Sequence, residues 1–362
     1  MNNLNSKCAI IIPALNNKGP VKGAIALYNL LSDIGVKCTL VVLKETSDKE
    51  LKFSGDVIRL GNNGGLYSKA KLFGKRYHDF DYRVSFCFSA DVFNLLLGKT
   101  AKKITSVRAN NFKNYHMDYG FLGLPLAFFH YMLFNFFDKV IAISKVMVKD
   151  VSKFVVSKDK IVFIGNFIDK PIFDDNDLNC RKFDSNVFNI CFVGNLVGRK
   201  RIDLLIESIP KLRSSFSFPI RVNIIGDGDL KLDLKELAKS KSLNDDVNFY
   251  GEMSNPLSII SKSDLFVLPS LSEGVSRAML ESLSLGVPVL ARDIDANSEI
   301  VFEGVNGHLF VDDDDFYRAL ERAVACSSEC KYDDVSVPLE YTLTSAVEKY
   351  ARLLGVYNES GK

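Results

Sequence analysis

The chain has 362 residues, 47% hydrophobic and 25% charged, with a formal net charge of +2. That length divides into two domains of about 150–200 residues, and the apolar share excludes a disordered chain. The seven cysteines (Cys8, Cys38, Cys87, Cys180, Cys191, Cys326, Cys330) stand singly, with no C-x2-C pair and only four histidines, which argues against a disulfide framework or zinc site and for a reducing cytoplasm. In chain order, the N-terminal MNNLNSKCAIIIPAL lacks a long apolar core and a small-residue cleavage site, and it reads as a first buried strand. The first half offers strands at Ala9–Pro13, Cys38–Leu43, Val57–Leu60, Val84–Phe88, Ile104–Val107, Val140–Ile143 and Lys160–Ile164. Amphipathic stretches such as Val21–Ile34 and Ser144–Phe154 fill the gaps.

Gly120–Phe137 is apolar on every side, interrupted by Pro125, His130 and Asn135. It reads as a buried or half-exposed helix of the first domain, or as a helix grazing a membrane; it is barely long enough to span one. Lys170–Phe188 is polar and Asp/Asn-rich, the natural linker. Further strands follow at Ile190–Val193, Arg221–Ile225, Val247–Tyr250, Leu265–Pro269, Val287–Ala291 and Gly307–Val311, and a last helix spans roughly Leu339–Leu354. Such alternation describes parallel α/β sheets, whose ligands sit at the carboxyl ends of strands. The domains expected are 1–168, a linker 169–188, 189–337, and a C-terminal helix in 338–362. Residues 1–170 hold 25 Lys and Arg against 13 Asp and Glu, the remainder 21 against 31. The basic half either meets an anionic partner or attracts the acidic half.

Asp264–Glu299 concentrates the chemistry. A strand ends in the turn Ser270–Gly274, and a helix at Ala278–Leu285 stops at Gly286 with Pro288 beyond. Glu273 and Glu281 stand eight positions apart, one before the helix and one inside it, beside a helix start whose N–H groups suit an anionic ligand. The segment resembles the E-x7-E motif of retaining GT-B glycosyltransferases of family 4. Phe192–Leu212 is similar to that family's V-G-R-L-x3-K-G element: Lys200 falls on its lysine, Asn195 replaces its arginine and Arg201 its glycine. The arginine's role is therefore assigned to Arg199.

The resemblance implies an α/β chain of the GT-B class: two facing Rossmann-like domains, a cleft between them, and a last helix returning to the first domain. Glu281 is expected to bind the donor's ribose and Glu273 a hydroxyl of its sugar. Gly274, the backbone at Val275 and Ser276, Asn195 and Gly226 of IIGDGDL are expected to line the donor. Lys18 and Gly19 resemble part of the family's glycine loop over the donor phosphates. Arg108, ending a strand, takes the acceptor-facing position where many members carry a histidine, whereas His116 reads as a loop residue. Lys200 and Arg199 are expected to neutralise the leaving diphosphate without metal or cofactor; Asp312–Asp315 reads as a solvated turn. The implied partners are a nucleotide sugar, UDP-linked in preference, and a lipid-linked or oligosaccharide acceptor in bacterial surface-polysaccharide synthesis. An anionic inner-membrane surface is expected too, met by a cytoplasmic, peripherally attached protein through basic residues such as Lys69, Lys71, Lys75 and Arg76. No nucleic-acid partner is expected. Two alternatives stay open: a sugar-nucleotide binder without turnover, and a GT-B-type epimerase.

Overall fold

The computed structural model describes residues 6–46, 50–168, 186–253 and 255–356. The chain divides into two compact units, Met1–Asp169 together with Leu339–Lys362, and Lys170–Pro338. Residues 169–185 of the expected linker lie outside the described residues.

The first unit alternates β1 (Lys7–Ile12), α1 (Gly19–Asp33), β2 (Lys37–Val42), β3 (Val57–Arg59), α2 (Leu66–Arg76), β4 (Tyr82–Phe86) and α3 (Phe88–Leu96). It continues through β5 (Lys102–Val107), α4 (Asn111–Tyr119), α5 (Gly123–Leu133), β6 (Lys139–Ala142), α6 (Lys145–Ser152) and β7 (Ile161–Phe163). Its strands form one parallel sheet in the order β3-β2-β1-β4-β5-β6-β7. Ala9 to Ile12 of β1 are wholly buried, because helices cover both faces of a parallel sheet and leave no polar side to alternate with. Pro20 in the first turn of α1 has its φ pre-set for a helix and lacks an N–H that would find no partner there.

The second unit contains β8 (Phe188–Val193), α7 (Ile202–Ser215), β9 (Ile220–Ile225), α8 (Lys231–Ser240), β10 (Val247–Gly251), α9 (Leu257–Ile260) and β11 (Leu265–Leu268). Then come α10 (Arg277–Ser284), β12 (Val289–Arg292), α11 (Asp295–Ser298), β13 (Gly307–Phe310) and α12 (Asp313–Ser328). Its parallel sheet runs β10-β9-β8-β11-β12-β13. The last helix, α13 (Leu343–Leu354), is counted with the first unit, where Ala346, Tyr350 and Leu354 join the core made by β1, β2, β4 and α1. Tyr82 Oη donates to the Leu354 carbonyl at 2.5 Å. Full burial of a side chain such as Leu354 stabilises by roughly 1.5–3 kcal/mol.

Four sequence readings need correction. His116 lies on α4 rather than in a loop, because the Asn110 side chain caps the helix by accepting from the Lys113 amide. Asp312–Asp315 is not a solvated turn: Asp312 caps α12 through the Asp315 amide, and the following aspartates occupy its first turn, where the helix dipole favours them. Lys69 leaves the basic patch, since its buried ammonium donates to the carbonyls of Leu43 (2.7 Å) and Gly61 (2.6 Å). Phe88 begins α3 instead of ending β4. Gly120–Phe137 is a helix flanked by 3-10 turns, half-exposed, and among the described residues no helix is long and apolar enough to cross a membrane.

Candidate functional site

In the second sheet the strand order reverses at β8, which lies between β9 and β11. The loops leaving the carboxyl ends of such strands form the natural ligand site of an open α/β sheet. Here they carry the expected residues. The loop after β8 ends in a 3-10 turn, Gly198–Lys200, and the loop after β11 runs through Glu273 into α10. The Leu271 amide donates to the Arg199 carbonyl at 2.8 Å, and Arg199 Nη1 donates to the Ser272 carbonyl at 2.9 Å, so the loops are tied together.

Lys200 Nζ donates to Glu273 Oε1, and Arg199 Nη1 lies 3.8 Å from the same oxygen. The Lys200 and Glu273 side chains are 8% and 10% exposed, so solvent screens this pair little. Burial would raise the Glu273 carboxyl, but the charges of Lys200 and Arg199 outweigh it and hold the group below its ordinary value. An ammonium has three donors, and Glu273 occupies one of them. The arrangement presents two cations and an ionised carboxylate beside the start of α10, able to bind an anion and a hydroxyl together. Ser276 caps α10 by accepting from the Met279 amide at 3.3 Å, which fixes the start of the helix. Glu281 sits about one turn inside the helix, 3.9 Å from Arg277 Nε. Val275 is buried, Gly274 partly exposed and Asn195 exposed.

Gly226 follows β9 with φ of +140°, and a Cβ there would lie 1.9 Å from the Gly194 carbonyl oxygen. Close packing of the loops after β8 and β9 is therefore enough to require this glycine, with or without a ligand.

Sequence reasoning missed what holds Lys200 in place. Arg201 adopts left-handed backbone, φ +50°, where a side chain costs roughly 1–2 kcal/mol. Its guanidinium pairs with Asp203 at 2.9 Å and with Asp313, and Asp313 also accepts from Arg292 Nη2 at 2.5 Å. Arg292 Nε in turn donates to the Pro269 carbonyl at 3.2 Å, at the root of the Glu273 loop. The signal available was the glycine that the resembling motif places after its lysine, a mark of left-handed backbone.

In the first unit, the expected residues cluster where strand order reverses between β1 and β4. Lys18 is the residue before α1, and a Cβ on Gly19 would meet nothing within 4 Å. Arg108 follows β5, donates to buried Asn166, packs 5.6 Å from the Phe86 ring, and lies against Gly23 of α1. Burial first, then Asp91, pushes the Cys87 thiol up to about 12, with Arg108 and Lys18 opposing, so both cations act on this one strand end. His116 is exposed, away from this cluster of contacts.

His130 is built into a buried polar network. Its Nε2 lies 2.8 Å from Asp91 Oδ2, while Ser85 and Thr105 each donate to Asp91 Oδ1 at 2.7 Å. Asn111 Nδ2, a donor, stands 3.0 Å from His130 Nδ1, so the ring proton belongs on Nε2. This buried network anchors α5 to the sheet.

Residues 175–332 match the family described as glycosyl transferases, group 1. That match takes in most of the second unit, Lys170–Pro338. The O-antigen biosynthesis glycosyltransferase WclY of Escherichia coli is 30% identical over 201 residues, 53% of this chain and 54% of the relative. The N-acetyl-alpha-D-glucosaminyl L-malate synthase of Bacillus anthracis is 23% identical over 176 residues, 48% of this chain and 46% of that one. The chain spans about half the length of the curated relatives it matches. For the whole chain, Anabaena HepE in complex with UDP and glucose superposes with a TM-score of 0.79 at 16% identity, covering 97% of this chain and 100% of that one. The pneumococcal O-GlcNAc transferase GtfA, in complex with UDP and GlcNAc, gives 0.75 at 11% identity, covering 97% and 98%. The matching segment thus lies in a chain of the GT-B fold class, with two parallel-sheet α/β units.

Proposed function

We propose that the protein is a retaining glycosyltransferase moving a hexose or N-acetylhexosamine from a UDP sugar to a lipid-linked or oligosaccharide acceptor in surface-polysaccharide synthesis, O-antigen or capsule. The observation that carries the reading is the Lys200–Glu273 pair with Arg199 at the carboxyl ends of β8 and β11, one helix start away from Glu281. The E. coli relative's name supports the pathway, and the UDP and glucose bound by HepE support the donor class.

In this reading Glu281 takes the ribose hydroxyls and Glu273 a sugar hydroxyl. The free donors of Lys200, with Arg199, meet the diphosphate. The bond from the anomeric carbon to the phosphate oxygen breaks, the acceptor oxygen bonds to that carbon on the same face, and its proton passes to the leaving phosphate. The cations stabilise that developing charge by a few kcal/mol per well-placed donor, so no metal or other cofactor is assigned. Lys18 and Gly19 lie over the donor phosphates, the acceptor belongs to the first unit with Arg108, and the protein attaches peripherally to the inner face of the cytoplasmic membrane.

The test is UDP release from UDP-glucose, UDP-galactose and UDP-N-acetylglucosamine without acceptor. Slow release from one of them, abolished by Glu273→Ala and by Lys200→Ala, is expected. Binding without any release favours a sugar-nucleotide binder, a reading prompted by Asn195 at the motif's arginine position. No interaction with any nucleotide sugar overturns both.

A further inference from the structure

Helix α5 is apolar on two adjoining faces. Gly123, Ala127, His130 and Tyr131 are buried against the first unit. Leu124, Phe128 and Met132, continued by Phe136 beyond the helix, form a second stripe at four-residue spacing, exposed by 37%, 53%, 40% and 64%. The turn before it projects Phe121 and Leu122, exposed by 83% and 84%. Single exposed apolar residues are ordinary, but a contiguous patch of this kind marks an interaction site.

The border of the patch is cationic. Phe154 packs 6.0 Å from the Phe128 ring, with Lys153 beside it in sequence and 66% exposed at its side chain. Asn135, between Phe134 and Phe136, accepts on its carbonyl from Lys160 Nζ at 2.9 Å. Its side-chain oxygen accepts from the amide of Val156, which is 82% exposed. Residues 111–160 hold seven lysines against four aspartates. Protruding aromatic side chains rimmed by lysines match an anionic bilayer interface, where rings enter the acyl boundary and ammonium groups stay with the headgroups.

We infer that the exposed face of α5, with the Phe121–Leu122 turn, is a docking element that inserts into the surface of an anionic membrane. The buried Asp91–His130 pair holds α5 to the sheet, so the stripe is presented by a fixed helix rather than a loose one. The inference rests on the lipid-linked-acceptor reading only for its purpose. Its test needs no nucleotide sugar, so failure here leaves the donor reading untouched, and failure of UDP-sugar binding leaves this one untouched.

The experiment is co-sedimentation of the full chain with phosphatidylcholine vesicles, plain or with about a third phosphatidylglycerol. The protein is expected to sediment with the anionic vesicles and not the plain ones. Phe121→Ser/Phe128→Ser/Phe136→Ser should lower partitioning at least about tenfold with an unchanged unfolding temperature, and Lys153→Glu/Lys160→Glu should lose the anionic preference. Because the chain contains no tryptophan, Phe121→Trp gives a reporter whose emission should shift to the blue on adding anionic vesicles. No sedimentation of the wild-type chain overturns the inference. So does equal partitioning of the serine variant, or an unshifted Phe121→Trp emission. Dissociation of a dimer by the serine variant, without vesicle binding by the wild type, assigns the face to a protein contact instead.

Discussion

Replacing Lys200 by methionine keeps the length of the side chain and strands a buried carboxylate. Taking one partner from a buried ion pair costs about 3–5 kcal/mol, because the remaining charge stays desolvated. Arg199, 3.8 Å from Glu273 Oε1, retains part of the compensation and places the expected loss near the lower end, about 3 kcal/mol. For a unit the size of Lys170–Pro338 this corresponds to a fall of about 6–12 °C in its unfolding temperature. Lys200→Met/Glu273→Gln removes both charges and should recover most of the loss, to within about 1 kcal/mol of wild type.

The pH dependence has a definite sign. In the wild type the Glu273 carboxyl is held below its ordinary value of 4.5, so its ionisation stabilises the fold above that value, and the contribution is lost as pH falls through the folded-state value. In Lys200→Met the burial effect loses its main opponent and the carboxyl rises. The deficit should therefore be full near pH 7 and shrink under acid as Glu273 takes a proton. Thermal unfolding of the three proteins across a pH series measures this. A deficit that is the same at neutral and acid pH, or a double variant no better than the single one, would refute the reasoning.

Arg201→Gly should relieve the left-handed strain as it removes the Asp203 and Asp313 pairs, leaving stability near wild type while weakening UDP binding as Lys200 loses that support. Arg201→Ala keeps the strain without the pairs and should be about 1–2 kcal/mol less stable than the glycine variant, with weaker UDP binding, by unfolding and calorimetry. Gly226→Ala forces a Cβ against the Gly194 carbonyl and should cost about 1–3 kcal/mol, read as a lowered unfolding temperature. Asp91→Asn breaks the charged centre of the network joining Ser85, Thr105 and His130. It should destabilise the first unit by about 1–3 kcal/mol, because the buried His130, Ser85 and Thr105 donors lose a charged acceptor, with hydrogen exchange increased first on α5.

Strands such as Ile190–Val193 are legible because a parallel sheet covered on both faces needs unbroken apolar runs, and period-breaking glycines and prolines delimit them. Glu273, Glu281 and Lys200 stand out in the sequence through the motifs they resemble, and the structure brings Lys200 beside Glu273. Lys69 was misjudged because charge alone does not reveal that the Leu43 and Gly61 carbonyls need a donor. The Asp312–Asp315 run resembles solvated surface in sequence, yet its first residues cap α12 and pair with Arg201 and Arg292. His130 hides in an apolar run, and its partner lies 39 positions earlier. A single sequence carries no sign of such a pairing, only the improbability of a lone histidine among phenylalanines.

The most direct test of the central claim, that this carboxylate and cation cluster grips a nucleotide sugar, is calorimetric titration of UDP sugars into the wild type and the Glu281→Ala and Arg199→Ala variants. The expected result is saturable binding by the wild type of at least one UDP sugar, weakened about tenfold or more in each variant by loss of a charge-assisted hydrogen bond. Equal affinity in all three proteins, or no heat from any UDP or GDP sugar, would contradict it.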